Sequence, residues 1–238
     1  MKKAILAVAV AAVFAPSLAM AEAGDIVVRL RATYVAPDEG SSLGKDTNKA
    51  YGPNTGLAFY GSNNAELRVD SNTIPEVYFS YYITKNIAAE LILALGTRHD
   101  VSVSGSGGLM TKRGLGSVNL LPPTLTGQWH FMPDQTFDPY VGAGVSYIRA
   151  LDDGLTWHAT GGLALPIPID KNMFRPAIHA GFDVNLKDRW LVNFDVKKVW
   201  FNTDVKLNAA TIGIPGYRKI DSLDIDPWVI SVGVGKKF

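Results

Sequence analysis

The chain has 238 residues, with 23 Lys and Arg against 22 Asp and Glu, and it contains no cysteine. Without cysteine it can form neither a disulfide framework nor a thiolate metal site, and without a basic excess it lacks the surface that neutralises the phosphates of nucleic acids. Beyond the first residues no apolar run approaches the roughly 18 residues of a membrane-spanning helix, although 47% of the residues are hydrophobic.

The N-terminus has the three-part layout of a secretory signal peptide. Residues 1–3 are Met-Lys-Lys, residues 4–14 are uncharged and apolar, and Ala19-Met20-Ala21 has the small-x-small pattern of a cleavage site. An uncleaved membrane anchor is the alternative, but the apolar run is short for a span. We therefore predict that residues 1–21 are a signal peptide cleaved after Ala21. Residues 22–238 then form one domain with a net charge of −1, because two lysines leave with the signal peptide.

Eight stretches of this domain alternate between apolar and polar side chains. In the first of them Val28 and Leu30 alternate with Arg29 and Arg31. A period of two over about ten residues is typical of membrane-spanning strands, which have one lipid-facing and one polar face. In chain order the predicted strands are residues 26–34, 75–83, 87–95, 123–131, 140–147, 175–185, 190–197 and 228–238.

A soluble β-sandwich also alternates, because its apolar face forms the core, and it is the alternative to a barrel. The aromatic residues favour the barrel, since they lie near strand ends on the apolar face, where outer-membrane barrels have their interfacial girdles. These residues are Tyr34, Tyr81, Trp129, Phe131, Tyr147, Trp190, Trp228 and Phe238.

The connections alternate between short and long, which also favours a barrel. The short ones lie near residues 84–86, 133–135 and 187–188. The long ones contain stretches rich in Gly, Ser and Asn, and we expect mobile outer loops without enough apolar surface to fold on their own. They are residues 36–73, 101–117, 150–173 and 205–220. The predicted fold class is all-β: an eight-stranded antiparallel transmembrane β-barrel with long extracellular loops and short periplasmic turns.

The strand period assigns one set of side chains to the barrel interior, which has just enough room for them in an eight-stranded barrel. Toward the periplasm the inward residues are polar and of both charges, as buried charges must be if they are to pair. This predicted polar lumen plug comprises Arg29, Arg31, Glu90, Gln128, His130, Asp183, Asp195 and Lys197.

Toward the outside the inward residues are mostly apolar, with Glu76, Arg98 and Arg175 as exceptions. A polar plug below an apolar cup is a plausible receptacle for an oily ligand, and ordinary packing inside a narrow barrel is the alternative. The predicted hydrophobic cup comprises Val35, Ile74, Leu120, Pro122, Ile148, Val199, Phe201 and Ile225.

Pro122 and Pro123 add a feature of the barrel wall. Proline cannot donate to a hydrogen-bond ladder, so two in succession weaken the pairing of a strand with its neighbour. We interpret them as the site of a lateral gap in the wall. The alternative is that the strand begins only after Pro123.

Patterns that carry catalysis or metal binding are weak in this chain. No Gly-x-Ser-x-Gly elbow, His-x-x-x-His pair or phosphate-binding Gly-Lys-Ser/Thr loop occurs. His158 with Asp152 or Asp153 is a remote candidate for lipid chemistry. Three carboxylates near the last strand could attract a divalent cation, but strand capping is the better interpretation. They are Asp221, Asp224 and Asp226. We predict no catalytic residue, no metal and no cofactor.

Several motifs, taken in their order, resemble the OmpW family of small outer-membrane β-barrel proteins. The resemblance runs over nearly all of residues 22–238. The motifs are Gly24-Asp25, Val28-Arg29, Ala32-Thr33-Tyr34-Val35, Thr84-Lys85-Asn86-Ile87-Ala88, Leu121-Pro122-Pro123-Thr124-Leu125, Pro139-Tyr140-Val141-Gly142-Ala143-Gly144-Val145, Asn193-Phe194-Asp195-Val196-Lys197, Asp224-Ile225-Asp226-Pro227-Trp228 and the terminal Phe238.

The resemblance implies a barrel in the outer membrane of a Gram-negative bacterium, exported through the periplasm and not an enzyme. It further implies a narrow channel or receptacle for passive uptake of small hydrophobic molecules, with release sideways into the bilayer. The alternative is a non-conducting structural or receptor barrel whose long loops contact phage, colicin or host surfaces. The expected partners are outer-membrane lipids and lipopolysaccharide, the barrel assembly machinery and small hydrophobic ligands, with no nucleic acid.

The C-terminal Phe238 lies on the lipid-facing parity of the last predicted strand. The last strand must pair with the first, because unpaired backbone groups in hydrocarbon are costly. We therefore predict that Phe238 is the assembly signal of the barrel.

Overall fold

The computed structural model describes residues 21–238, except for residues 95, 106, 153, 209 and 211–215. The predicted signal peptide, apart from Ala21, lies outside the described residues. No helix in the described ranges is long and apolar enough to cross a membrane.

The described residues form fifteen strands, two short helices and one 3-10 turn. The strands are β1 (Ile26–Ala36), β2 (Leu67–Val69), β3 (Asn72–Tyr82), β4 (Ile87–Ala94), β5 (Thr97–Val103), β6 (Gly114–Leu121), β7 (Thr124–His130), β8 (Phe137–Asp152), β9 (Thr156–His158), β10 (Ala164–Pro166), β11 (Asn172–Asn185), β12 (Trp190–Val199), β13 (Asn202–Asn208), β14 (Tyr217–Asp224) and β15 (Trp228–Lys237). The helices are α1 (Leu43–Tyr51) and α2 (Thr55–Tyr60), and the 3-10 turn is Lys187–Arg189.

Eight strands form a closed antiparallel barrel, which confirms the predicted fold class. The order around the ring is β1, β3, β4, β7, β8, β11, β12 and β15, and β15 pairs with β1 to close it. These strands overlap the eight predicted ones, and the short connections lie where the sequence placed them. The two ends of the barrel chain meet at the side of these short turns, because Ile26 and Phe238 exchange backbone hydrogen bonds of 3.2 and 2.8 Å.

The two faces of the barrel strands carry opposite chemistry. In β1 the outward Leu30 is 57% exposed, whereas the inward Arg29 and Arg31 are buried. The predicted girdle aromatics lie on the outer face. A soluble sandwich would bury the apolar face and expose the charges. The observed reversal is what a barrel in lipid requires, because hydrocarbon then contacts its outer wall.

The long outer connections contain helices and strands that pack on one another, which the prediction of outer loops did not include. They contain the two helices and the strands β2, β5, β6, β9, β10, β13 and β14. We call this part the crown; it comprises the described residues of 37–71, 97–121, 154–171 and 201–224. In the described part of the chain, the most extensive cluster of buried apolar side chains lies here, and Phe59, Trp157 and Leu207 belong to it.

The crown escaped prediction because its core is assembled from four separate connections. Each contributes a few apolar residues, such as Phe59 from the first and Trp157 from the third, whose ring centroids are 5.1 Å apart. No single connection has a long apolar period, and the glycines and serines between these residues are typical of loops. The apolar surface suffices only when the four connections meet.

The predicted inward orientation of Arg98 is also wrong. Arg98 is exposed, while its neighbours Thr97 and His99 are buried. Gly96 precedes them with a φ of +70°, in the left-handed region that glycine adopts readily. An irregularity of this kind between β4 and β5 exchanges the faces of the residues that follow within β5, because side chains alternate with a period of two.

Candidate functional site

The polar lumen plug lies in the periplasmic part of the barrel, with Arg29 at its centre. The Arg29 guanidinium donates to Asp183 at 2.6 Å, to Glu90 at 3.3 Å and to the Ser80 hydroxyl at 2.5 Å. Ser80 donates to Glu90 at 2.9 Å, and Asp183 accepts a further bond from Asn193 at 2.6 Å. Buried charges are tolerated when they are paired and hydrogen-bonded in this way. The plug therefore consists of mutually compensated charges.

Arg31 lies on the same inner face of β1, two residues nearer the outer end. Its Cζ atom is 3.5 Å from the centroid of the Tyr78 ring, and its Nη1 atom is 4.0 Å from Asp195. Asp195 also accepts from the Tyr140 hydroxyl at 2.9 Å and lies 2.8 Å from Nδ1 of His179. The predicted plug thus extends through residues of several strands that the sequence alone could not connect.

The periplasmic end of the plug is closed by His130. Its Nδ1 atom is 2.7 Å from Asp138, and its Nε2 atom is 3.2 Å from the Tyr82 hydroxyl and 3.4 Å from the Gln128 side-chain oxygen. All eight predicted plug residues are buried, and the structure brings them into the barrel interior.

Glycines on the inner face make room for these large side chains. A Cβ atom on Gly142 would lie 2.1 Å from Nε2 of His179, and one on Gly235 would lie 2.8 Å from Cγ of Arg29. The interior of an eight-stranded barrel is only as wide as its own side chains. The plug therefore fills this part of the barrel, and its packed side chains are inconsistent with an open diffusion pore along the axis.

A cavity of about 100 Å³ lies above the plug, at the outer end of the barrel. Ile148, Val199 and Phe201 belong to a buried apolar cluster beside it, and Val35 and Ile74 belong to a second one. All eight residues of the predicted hydrophobic cup line this cavity: Val35, Ile74, Leu120, Pro122, Ile148, Val199, Phe201 and Ile225.

Crown residues complete the lining, and sequence analysis missed them. In β13 the inward residues Thr203, Val205 and Leu207 alternate with more exposed ones. This period of two was a usable signal, but it lies in a segment that was largely assigned to a loop. The apolar crown residues of the lining that were not in the predicted cup are Pro37, Val69, Val101, Val118, Leu155, Ile169, Val205 and Leu223.

The floor of the cavity is its polar part. Lys197, which the sequence assigned to the plug, lines the cavity together with Glu76. The Lys197 Nζ atom is 4.0 Å from Glu76 Oε1. Thr124 and Ser146 also line the cavity, and their hydroxyl oxygens are 2.6 Å apart. Thr97, His99 and Thr203 of the crown also belong to the lining, and Nδ1 of His99 is 2.9 Å from the Asp70 carbonyl oxygen. The cavity therefore has a mostly apolar wall and a polar floor.

Pro122 and Pro123 lie between β6 and β7, because β7 begins at Thr124. This is the alternative in which the strand starts after the prolines. Pairing toward β8 nevertheless continues past them, since the carbonyl of Pro123 accepts from the amide of Tyr147 at 2.9 Å. Any interruption of the wall must therefore lie on the opposite side, toward β4.

On that side the ladder is interrupted among the residues that the structure describes. The β4–β7 ladder ends at the pair of Ile92 and Thr124. Pairing resumes with Thr97 and Leu120 in the β5–β6 ladder. Between these two pairs, residues 93–94 have ladder partners in β3 but none toward β7. Residue 95 lies outside the described residues; among those described, the backbone of the two prolines is paired toward β8 and not toward β4.

Among the described residues, no hydrogen bond or ion pair joins the catalytic and metal candidates of the sequence to one another. His158 lies in β9 opposite Ala164, and Asp153 is outside the described residues. Within the described ranges no group of three potential metal ligands forms. The Oδ1 atom of Asp226 accepts from the amide of Phe201 at 2.7 Å, and Asp224 pairs with Gly40.

Asp221 is the buried member of these carboxylates. It accepts from the Ser41 hydroxyl at 2.5 Å and from the Ser42 amide at 2.9 Å. Burial raises the pKa of Asp221, and these hydrogen bonds oppose the rise. Its contacts connect the start of the crown to β14, which is a structural arrangement.

The architecture of a plugged eight-stranded barrel with an outer cavity agrees with sequence comparison, since the sequence model of the OmpW family matches residues 22–238. The chain belongs to the OmpW family. Its relatives include outer membrane protein W of Escherichia coli (strain K12), which is 31% identical over 238 residues, or 100% of this chain and 99% of that protein. Outer membrane protein AlkL of Ectopseudomonas oleovorans is 27% identical over 176 residues, or 74% of this chain and 70% of AlkL.

A solved OmpW-type barrel has the same fold. The crystal structure of OprG from Pseudomonas aeruginosa superposes with a TM-score of 0.71 at 27% identity, covering 92% of this chain and 98% of OprG. The OmpW-family chain described here is therefore a β-barrel of the outer membrane of a Gram-negative bacterium.

Proposed function

We propose that the protein takes up small hydrophobic molecules passively through the outer cavity and releases them sideways into the membrane. The observation that carries this proposal is the apolar cavity directly above a filled, charged plug. An apolar molecule gains roughly 25 cal/mol for each Å² of its surface that the cavity removes from water. The plug offers no such gain, because an apolar molecule there would have to separate paired charges.

The interruption beside Pro122 supports a sideways exit. It lies at the level of the cavity, since Pro122 is part of the lining. A molecule leaving there enters the hydrocarbon core, where its free energy is low, without crossing the plug. Passive flow from the aqueous side to the membrane then needs only the concentration gradient.

The size of the cavity sets the class of molecule. A dry apolar cavity of about 150 Å³ holds benzene, and this one measures about 100 Å³. Because it is smaller than the benzene cavity, it fits a short chain as it stands, and a molecule of one ring, such as toluene, enters only when the surrounding side chains or the crown move.

Filling the cavity tests the proposal. Ile148→Trp places an indole in the cavity, whereas Val145→Trp, on the same strand, places it on the lipid-facing wall, where Val145 is 42% exposed. Cells expressing the wild type or V145W should accumulate radiolabelled toluene faster than cells without the barrel. Cells expressing I148W should accumulate it at the barrel-free rate. The proposal is wrong if the wild type gives no faster uptake than barrel-free cells.

A second candidate function is a receptor or structural barrel, and one feature of the crown favours it. Leu57 and Leu109 are 49% and 45% exposed, and the Leu109 amide donates to the Ala58 carbonyl at 2.6 Å. Exposed apolar side chains at adjacent positions suit contact with another surface. Normal toluene uptake together with loss of phage or host-cell adhesion in Leu57→Ser and Leu109→Ser variants would favour this function.

A further inference from the structure

We infer that the cavity selects molecules that carry one uncharged hydroxyl group on an apolar body, such as phenols and short alcohols, and that Lys197 and Glu76 bind this hydroxyl. The inference rests on the proposed function, because it names the class of molecule that the same cavity takes.

Lys197 has hydrogen-bonding capacity that its protein neighbours do not use. Its ammonium group has three donors, it lines the cavity, and the residue is 3% exposed. Its nearest acidic oxygen, Glu76 Oε1, is 4.0 Å away. Hydrogen bonds between ammonium and carboxylate groups measure about 2.7–2.9 Å. Within the described part of the chain, Lys197 therefore forms a loose ion pair and no hydrogen bond.

Glu76 leaves one oxygen available on the same floor. Its Oε2 atom accepts from the Thr33 hydroxyl at 2.8 Å and also from the Tyr78 hydroxyl. Its Oε1 atom is the one that faces the ammonium of Lys197 at 4.0 Å. The polar floor thus presents a donor and an acceptor side by side below an apolar wall.

A hydroxyl group matches this pair because it accepts and donates at once. Bonds of about 2.8 Å from the ammonium and about 2.7 Å to the carboxylate can meet at one oxygen atom across a gap of 4.0 Å. A water molecule can make the same two bonds, and a ligand hydroxyl that displaces the water reproduces them. A methyl group in its place leaves both Lys197 and Glu76 without these bonds, which is unfavourable in a buried site.

The balance of charge excludes ionic ligands. The positive charge of Lys197 is offset by Glu76, and the next charges below, Arg31 and Asp195, lie 4.0 Å from each other. A carboxylate or an amine in the cavity would leave the group of Lys197, Glu76 and ligand with a net charge inside a mostly apolar site, which is unfavourable. The arrangement therefore favours a neutral polar end over a charged one.

Methyl NMR of the barrel in lipid nanodiscs tests the inference. The methyl chemical shifts of Ile74 and Ile148, which line the cavity, report binding in the cavity and are insensitive to ligand that is dissolved in the lipid. Phenol, toluene and benzoate are titrated as probes, since phenol and toluene differ only by hydroxyl against methyl. The variant is the double substitution K197M/E76Q, which removes both charges together and leaves no unpaired one. The control is Lys198→Met, because Lys198 lies beside Trp228 and not in the cavity lining.

We expect the double variant to bind phenol about tenfold more weakly than the wild type, the scale of a hydrogen bond to a charged group. Its toluene affinity should stay within about twofold, and K198M should behave as the wild type. In the wild type, the Lys197 ammonium nitrogen signal should shift with phenol and not with toluene. This readout does not depend on the folding of any variant.

Four results would overturn the inference, and the last of them would overturn the proposed function as well. One is equal weakening of phenol and toluene, which means that the pair only shapes the cavity. Another is that the double variant binds phenol as tightly as the wild type and that phenol does not shift the Lys197 ammonium signal, while toluene binds normally. In that case the proposed function stands without the inference. The third is that benzoate binds most tightly of the three probes, which would mean that the site prefers anionic ligands. If no probe shifts the methyl signals, both the inference and the proposed function fail.

Discussion

The plug and the crown bury their residues in opposite ways, although they lie in one chain and share a boundary. The plug buries charges such as Arg29 and Asp183, and it can do so because strands around the whole barrel supply partners. The crown buries apolar residues such as Phe59 and Trp157, like the core of a soluble protein. The cavity lies where the two meet. The plug therefore closes the axis of the barrel, and the crown encloses an apolar space above it.

The largest expected effect comes from breaking the plug at Arg29. Arg29→Met leaves Asp183 and Glu90 buried without their common partner, which costs about 3–5 kcal/mol when one member of a buried pair is removed. The midpoint of urea unfolding in lipid vesicles should fall accordingly. Arg149→Met, which removes an exposed arginine from β8, should change the free energy of unfolding by less than about 0.5 kcal/mol. Equal effects of the two substitutions would refute the account of the plug.

Removing a large buried side chain from the crown should destabilise the crown and leave the barrel strands unaffected. Trp157 is buried and packs on Phe59, so Trp157→Ala should cost about 3 kcal/mol of crown stability. Amide exchange in β5 and β6 should accelerate, while the urea midpoint of the barrel stays unchanged because the barrel strands do not depend on the Trp157 ring. A barrel midpoint that falls together with the crown would show that the two regions are one cooperative unit.

Both regions depend on closure of the barrel, which Phe238 completes. Its backbone forms two hydrogen bonds with Ile26, and its side chain is 61% exposed toward the membrane side. Deleting Phe238 should lower the amount of folded, heat-modifiable protein in the outer membrane several-fold, since an open edge in hydrocarbon is costly. Lys236→Ala, two residues earlier, serves as the control. Equal band shifts of unboiled samples for the deletion and the wild type would count against Phe238 as the assembly signal.

The smallest expected effect is a pH dependence of the crown. Burial raises the pKa of Asp221 above the usual value of about 3.9, so the folded crown holds a proton that the unfolded chain releases. Crown stability should therefore be greatest below about pH 4 and fall as the pH rises through the raised pKa of the folded state. Hydrogen exchange of the Ser42 amide, corrected for intrinsic rates, measures this. Asp221→Asn should remove the dependence, and crown stability that rises with pH only when Asp221 is present would contradict the prediction.

The sequence predicted the barrel well because the membrane imposes a simple rule on it. Residues such as Leu30 and Arg29 alternate strictly, since one face of each strand contacts lipid and the other the interior. The same parity predicted the place of Ile148 and Phe201 in the cup. It failed at Arg98, where the irregularity at Gly96 exchanges the two faces.

The crown was not predictable by the same rule because its partners are distant in the chain. Trp157 is buried among residues of other connections, such as Phe59, and no local period is long enough to identify its position. Val205 is also buried in this shared core, and the alternation of β13 marks it as inward without showing what covers it. The role of Lys197 was also only partly visible. Its parity placed it inside the barrel, but only the structure shows that it faces the cavity at a distance of 4.0 Å from Glu76.

We propose that molecules leave the cavity through the wall beside Pro122 and not along the axis of the barrel. The chain has no cysteine, so cysteines introduced at Ala94 and Pro122 are the only thiols, and a short bis-maleimide can bridge them across the interrupted ladder. The measurement is the rate at which cells accumulate radiolabelled toluene before and after bridging, with each single-cysteine variant as a control. The account predicts that bridging lowers uptake to the barrel-free rate while the single variants are unaffected. Unchanged uptake through a fully bridged barrel would contradict it.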